Sequence, residues 1–296
     1  MAASTGKARS LFRVYQELIL LRLTLLVAAT SFTGYWLGGG SLGDWRRLLG
    51  AVLGTALLSG GANAFNQRIE WRQDLLMDRT RNRPLPSGRM SRAHAWLAAA
   101  LMSLAGTLLL LLWTNLLTTV LGLLALFVYL FAYTPMKRVS TLNTLVGAVS
   151  GALPPMMGWA AASGEISLGA WILAAILFFW QIPHFLALAW LYREDYERGG
   201  FLMLPQRDPD GRLTAQVALL YTLPLLPLGI SLSLAGVEGR LFGFLSLPLG
   251  LFFLYRAWQL FREPGRQAAR RMFLASVMVL PLLLILMILD AKRPGL

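Results

Sequence analysis

Cysteine is absent from all 296 residues, which excludes disulfides, thiolate metal sites and a cysteine nucleophile. Charge is scarce as well: 14% of the chain is charged and 56% is hydrophobic. No stretch rich in glycine, serine or proline divides it into soluble modules. No cleavable leader is visible either, because the first sixteen residues are basic and polar and the apolar run behind them is long enough to span. With a mean hydropathy of +0.59, an ordinary soluble domain is excluded and a polytopic membrane protein is predicted.

Runs of about 18 or more apolar residues fall near 17–37, 48–66, 93–113, 115–134, 142–163, 168–191, 214–235, 240–258 and 270–289. Spanning segments of that length must satisfy their own backbone groups, so the fold class is all-α. Some connections are very short, as at Asn115, so those neighbours are antiparallel hairpins. The two long connections, 67–92 and 192–212, follow the second and the sixth span. That placement predicts two four-helix halves of like orientation plus one extra helix. Together they form a single transmembrane domain over 1–296, with a cytosolic N-terminal segment 1–16.

The net charge of +13 suggests a nucleic-acid binder until its distribution is considered. With the N-terminus inside, 21 of the 27 basic residues fall on one face, among them seven arginines between Arg68 and Arg92. Arg46, Arg47, Arg240, Lys292 and Arg293 lie opposite, and Arg22 sits at the start of the first span. This is the positive-inside signature, so the charge is topological and no nucleic acid is expected. It predicts a multi-pass protein of a plasma (inner) membrane, N-terminus cytoplasmic and C-terminus outside.

Residues 63–86 read NAFNQRIEWRQDLLMDRTRNRPLP. Asn66, Glu70, Asp74 and Asp78 recur every four residues, and Asn63 joins the same helical face. Such a second helix runs past the lipid boundary with a ladder of hard oxygen ligands suited to magnesium and, through it, a phosphate group. Arg79, Arg81 and Arg83 follow at once, with the planar fork that suits phosphate oxygens. Pro84 and Pro86 then end the helix. A solvated loop with local ion pairs, Glu70 with Arg72 or Asp74 with Arg79, is the plain alternative. The amides at membrane depth and the helical phase of the acids count against it.

Residues 171–205, WILAAILFFWQIPHFLALAWLYREDYERGGFLMLP, put Gln181, Pro183 and His184 inside an apolar span. Gln181 and His184 are three apart and share a face, Pro183 predicts a kink, and Asp195 follows His184 by about three turns. Between these stretches, YTPMKR at 133–138 supplies Lys137 and Arg138, which either anchor the topology or touch an anion. Gly147 and Gly151 predict close helix approach, and Pro154 with Pro155 predicts a break or bend in the fifth span.

The runs at 63–85 and 133–138, GALPPMMGWAA at 151–161 and WQIPHFLALAWLYREDY at 180–196 together resemble the protohaem IX farnesyltransferase (haem O synthase) family, within the UbiA-type intramembrane prenyltransferase superfamily. The resemblance covers about residues 10–290. It implies nine transmembrane helices around a central cavity, farnesyl diphosphate and haem b as substrates, Mg2+ as cofactor, and a downstream haem A synthase as a partner. By motif position it implies that Asn63, Asn66, Glu70 and Asp74 belong to the magnesium–diphosphate motif. Arg79 and Arg83 match its arginines, and His184 and Asp195 match the second motif. Metal ligation is thereby expected at Asn66, Glu70, Asp74 and Asp195. Diphosphate contact is expected at Arg79, Arg83, Lys137 and Arg138, and haem contact at His184, Gln181 and Arg22.

Two departures stand out. Glu70 replaces the aspartate many members carry, and the usual LTKPR of the first span reads LILLR at 18–22, without its lysine and proline. The implied reaction is farnesyl transfer to a haem vinyl group with addition of water, giving haem O and diphosphate. His184 is open to three roles: axial iron ligand, base for the added water, or propionate contact. Prenyl transfer to an aromatic or quinone precursor is the alternative enzyme reading, and a secondary transporter is the alternative outside catalysis.

Overall fold

The structure is a computed structural model that describes residues 11–292. Residues 1–10, with Lys7 and Arg9, and residues 293–296, with Arg293, lie outside the described residues. The elements are α1 (Leu11–Leu18), α2 (Leu21–Leu37), α3 (Trp45–Leu76), α4 (Arg92–Trp113), α5 (Leu116–Phe127), α6 (Thr134–Met136) and α7 (Asn143–Ser163). They continue with α8 (Leu168–Leu191), α9 (Arg193–Arg198), α10 (Arg212–Thr222), α11 (Leu225–Leu234), α12 (Arg240–Arg262) and α13 (Arg266–Asp290). A π-helical turn, Val128–Tyr133, joins α5 to α6. Among the described residues eight helices are long and apolar enough to cross a membrane, or nine if α1 and α2, bent by 56°, are counted as one broken span.

Local chemistry sets many of the boundaries. Asp44, Ser91 and Asn115 cap α3, α4 and α5, each side chain accepting a backbone N–H three residues on. The Asn115 hairpin is as tight as its sequence predicts, and its Nδ2 also donates to Ala160 O at 2.7 Å, tying the turn to α7. α3 has 32 residues, about 48 Å at 1.5 Å per residue, against a hydrocarbon core of about 30 Å. The helix is therefore longer than the hydrocarbon core requires, and Glu70 and Asp74 lie in its last two turns.

The break expected in α7 does not occur. α7 stays helical through Pro154 and Pro155, because that stretch is buried among α2, α5 and α8 and packing holds what the missing N–H bonds do not. Backbone-to-backbone helix approach occurs at two further glycines. A Cβ on Gly158 would lie 1.8 Å from Ser31 O, and one on Gly34 1.9 Å from Pro155 O, so α2 and α7 touch backbone to backbone. Gly147 and Gly151 instead make room for the Tyr133 ring and the Gln181 amide. α8 is likewise helical through Pro183 and packs against α7, α10, α11 and α13. α13 also meets α2, so the last span closes back on the first.

Candidate active site

The polar ladder of α3 is buried: Asn63, Asn66, Gln67, Glu70 and Asp74 are all shielded from solvent. Buried polar groups need partners, and the partners separate the ladder into two parts. Asn63 Nδ2 donates to Ile19 O at 3.1 Å and to Thr24 Oγ1 at 3.4 Å. Gln67 Nε2 donates to Glu17 O at 2.9 Å and to Leu18 O at 2.8 Å. Both amides therefore hold the bend between α1 and α2, where Leu20 takes left-handed backbone angles of φ 51° and ψ 58°. Asn63 Oδ1 accepts from Tyr129 at 3.4 Å, and Asn66 Nδ2 donates to Thr134 Oγ1 at 3.1 Å. Tyr129 lies in the π-helical turn, a deformation that recurs at functional sites.

The lower part of the ladder pairs with cations from distant sequence. Lys137 Nζ donates to Glu70 Oε2 at 2.7 Å and lies 2.6 Å from Oε1, so the ammonium faces both carboxylate oxygens. Both side chains are buried, and the ammonium sits over the rings of Tyr133 and Phe201 at 4.8 and 5.3 Å. Arg83 Nη1 donates to both oxygens of Asp74, each at 3.0 Å. Neither acid uses the local arginine that the plain loop reading assigned it.

Asp195, at the start of α9, closes the arrangement. Its carboxylate accepts the backbone N–H of Asp78 at 3.1 Å and of Arg79 at 3.3 Å. Arg198, one turn on, donates to Asp195 and also to Asp78 Oδ2, the latter at 2.6 Å. Burial alone would raise the Asp195 carboxyl, but the Asp78 N–H, the Arg198 guanidinium and the Arg79 N–H outweigh it and hold the group below its ordinary value. Around this lock Arg79 donates to Tyr196 Oη at 3.1 Å and lies over Tyr192 and Tyr196. Met77, Ala189, Phe201 and Met203 pack beneath it. The two acidic connections thus meet, although 117 residues separate Asp78 from Asp195.

Other expected residues lie elsewhere. Arg138 and Arg22 are exposed, and no ion pair engages them among the described residues. Gln181 and His184 take different partners: Gln181 donates to Leu177 O at 3.0 Å and abuts Gly151 of α7, whereas His184 meets Ser276 of α13. Three residues on a helix are about 60° apart in projection, enough here to reach different neighbours. Tyr129, Thr134, Tyr196, Arg198 and Ser276 were not singled out from sequence. Tyr129 lies four residues before YTPMKR, Thr134 lies within it and Arg198 follows Asp195 by one turn, but nothing in the sequence marks Ser276.

The donors are carboxylate and amide oxygens, the set hard divalent cations take. Among the described residues no three carboxylate, imidazole or thiolate groups stand close enough to hold one ion. The set nevertheless fits magnesium, which needs only one or two carboxylates beside phosphate oxygens and water, and Glu70 and Asp74 are buried about one turn apart on α3.

Residues 27–280 match the UbiA prenyltransferase family. The protoheme IX farnesyltransferase of Solibacter usitatus is 43% identical, over 96% of this chain and all of that one. Among solved structures, a digeranylgeranylglyceryl phosphate synthase superposes with a TM-score of 0.78 at 16% identity, over 94% of this chain and 98% of that one. A UbiA homologue from Archaeoglobus fulgidus, bound to DMAPP and Mg2+, gives 0.70 at 15% identity, over 93% and 98%. The buried acids, the two docked connections and these likenesses agree: the chain belongs to the UbiA prenyltransferase family, in its protohaem IX farnesyltransferase branch.

Proposed function

We propose that this membrane enzyme transfers the farnesyl group of farnesyl diphosphate to a vinyl group of protohaem IX, with addition of water, giving haem O and diphosphate. The observation that carries the reading is the meeting of the two acidic connections through Asp195 and the Asp78 and Arg79 amides. It gathers three acid–cation pairs, Glu70–Lys137, Asp74–Arg83 and Asp195–Arg198, at the end of one bundle. A solvated loop needs no such convergence, and neither does a transporter.

In this reading Asn66, Glu70, Asp74 and Asp195 hold magnesium, which when bound offsets the negative charge that builds on the departing diphosphate. Lys137, Arg79 and Arg83, with Arg138 at the rim, donate to the diphosphate oxygens. The cations neutralise the acids internally in this structure, so substrate arrival exchanges partners: each cation trades a carboxylate for a phosphate oxygen. The site then never holds bare buried charge. As the bond from the farnesyl C1 to oxygen breaks, the vinyl carbon attacks C1, water adds to the adjoining carbon and a proton leaves. Apolar walls keep bulk water from quenching the allylic cation first.

His184, Gln181 and Arg22 are assigned to haem. The basic excess beside the acidic connections supports a cytosolic location for the diphosphate end, in an inner membrane with the N-terminus inside. A haem A synthase would then receive the product. The test is mass analysis of haem from membranes with and without the chain. A farnesyl-plus-water increment that requires it is expected, and unchanged haem b beside a prenylated hydroxybenzoate would replace haem by an aromatic acceptor.

A further inference from the structure

His184 has one hydrogen-bond partner among the described residues, Ser276 of α13, with Nδ1 to Oγ at 2.7 Å. Ser276 is fully buried. Its hydroxyl also lies 2.6 Å from the carbonyl oxygen of Phe273, three residues back on α13. A hydroxyl has a single proton to give, and a carbonyl has none. In the one arrangement that makes both contacts hydrogen bonds, the Ser276 proton lies toward Phe273 O and the ring donates from Nδ1–H into Oγ. In that arrangement Nδ1 carries the proton and Nε2 the lone pair.

The ring is also fixed in orientation. Trp180 and Phe273 stack on its two sides, each centroid 5.0 Å away, at interplanar angles of 18° and 28°. The Trp180 indole N–H in turn donates to Ser276 O at 3.0 Å, so Ser276 holds both the imidazole and one of its stacking neighbours. A neutral ring held this way can accept through Nε2 or bind a metal there, but it cannot donate there. A propionate contact is thus disfavoured. A base would become an imidazolium inside an apolar span, with no carboxylate paired to it among the described residues, a costly outcome, whereas metal ligation leaves the ring neutral.

We infer that Ser276 is a positioning residue that sets His184 as the Nδ1–H tautomer, so that Nε2 is the axial ligand for the iron of the haem substrate. The iron half of this inference rests on the proposed haem reading, whereas the tautomer does not. Hydrogen-bonding the distal nitrogen of a ligating histidine is the usual way a protein orients it and raises its basicity, and loss of such a partner typically weakens binding by about 10–100-fold.

The chain has two histidines, so a His94→Gln background with 15N-labelled histidine reports His184 alone. Expected are a protonated Nδ1 and an unprotonated Nε2 in that background, a mixed or reversed pattern in Ser276→Ala, and recovery in Ser276→Thr. A protonated Nε2 in the background protein overturns the tautomer. Ferric haem b titrated into the purified full chain should give a histidine-ligated spectrum that His184→Ala abolishes. Ser276→Ala should weaken affinity about tenfold and shift that spectrum, and Ser276→Thr should restore both. An unchanged spectrum in His184→Ala overturns iron ligation, and unchanged affinity and spectrum in Ser276→Ala overturn the positioning role, even if the wild type still makes farnesylated haem. A wild type that neither binds haem b nor alters it removes the haem reading itself and the iron role with it.

Discussion

Arg83 donates through one guanidinium nitrogen to both carboxylate oxygens of Asp74, at 3.0 Å each, across a nine-residue gap that the chain closes by ending α3 at Leu76. Thr80 Oγ1 seals the same turn by donating to Asp74 O at 2.9 Å. The pair makes the arginine cluster a lid on the acids rather than a free loop, and one side chain thereby has two duties.

Asp74→Ala separates those duties. It should abolish turnover, and it should also cost roughly 3–5 kcal/mol of stability by stranding a largely buried guanidinium. Adding Arg83→Met should return much of the melting temperature without restoring activity. Thermal unfolding in detergent beside a farnesyl-transfer assay checks both, and normal turnover in either variant would remove Asp74 from the mechanism.

Leu20 holds left-handed angles without being glycine, at a cost of roughly 1–2 kcal/mol. Leu20→Gly should relieve that strain, with part of the gain lost to the greater freedom of the unfolded chain, and so leave stability equal or slightly higher. Asn63→Ala and Gln67→Ala should each lower stability by about 1–3 kcal/mol, because carbonyls freed by the bend lose their donors. If Leu20→Gly proved as damaging as the amide variants, the bend would owe its place to the leucine side chain and not to those amides.

Asp195 is held below its ordinary carboxylate value even though burial opposes this, because two backbone amides and Arg198 favour its charged form. A depressed folded pKa contributes stability above the unfolded value and loses it as pH falls through the folded one. The lock between the connections should therefore be fully formed at neutral pH and open only on strong acidification. Hydrogen exchange at the Asp78 and Arg79 amides measures this. Asp195→Asn should expose them at every pH, and slow exchange in that variant would show that the apolar contacts beneath hold the lock alone.

Glu238 shows the opposite sign. It is fully buried in the turn between α11 and α12, and neither carboxyl oxygen has a hydrogen-bond partner among the described residues. Burial, with the charge of Asp290 adding to it, pushes its pKa up to about 9. A raised folded pKa contributes stability that is complete below the unfolded value and fades as pH rises through the folded one. Melting temperature should fall as pH rises from about 4.5 to about 9 and level off above that, and Glu238→Gln should flatten that decline. An equally steep decline in the variant would place the sensitive group elsewhere.

The sequence by itself determined the number of spans, their helical nature and the Asn115 hairpin, since hydrocarbon length and backbone satisfaction leave no other solution. It also picked out Glu70, Asp74 and Asp195, because acids in helical phase at the edge of a membrane are costly unless used. It could not decide partners. Lys137 for Glu70 and Arg83 for Asp74, in place of nearer arginines, follow from where a π-helical turn and a proline-terminated loop deliver their side chains. The unbroken path of α7 through Pro154 and Pro155, and the divergence of Gln181 from His184, were likewise settled by neighbouring helices. Periodicity reports which face of a helix a residue occupies, whereas the atom it meets there depends on close packing between segments far apart in the chain, as with Ser276 against His184.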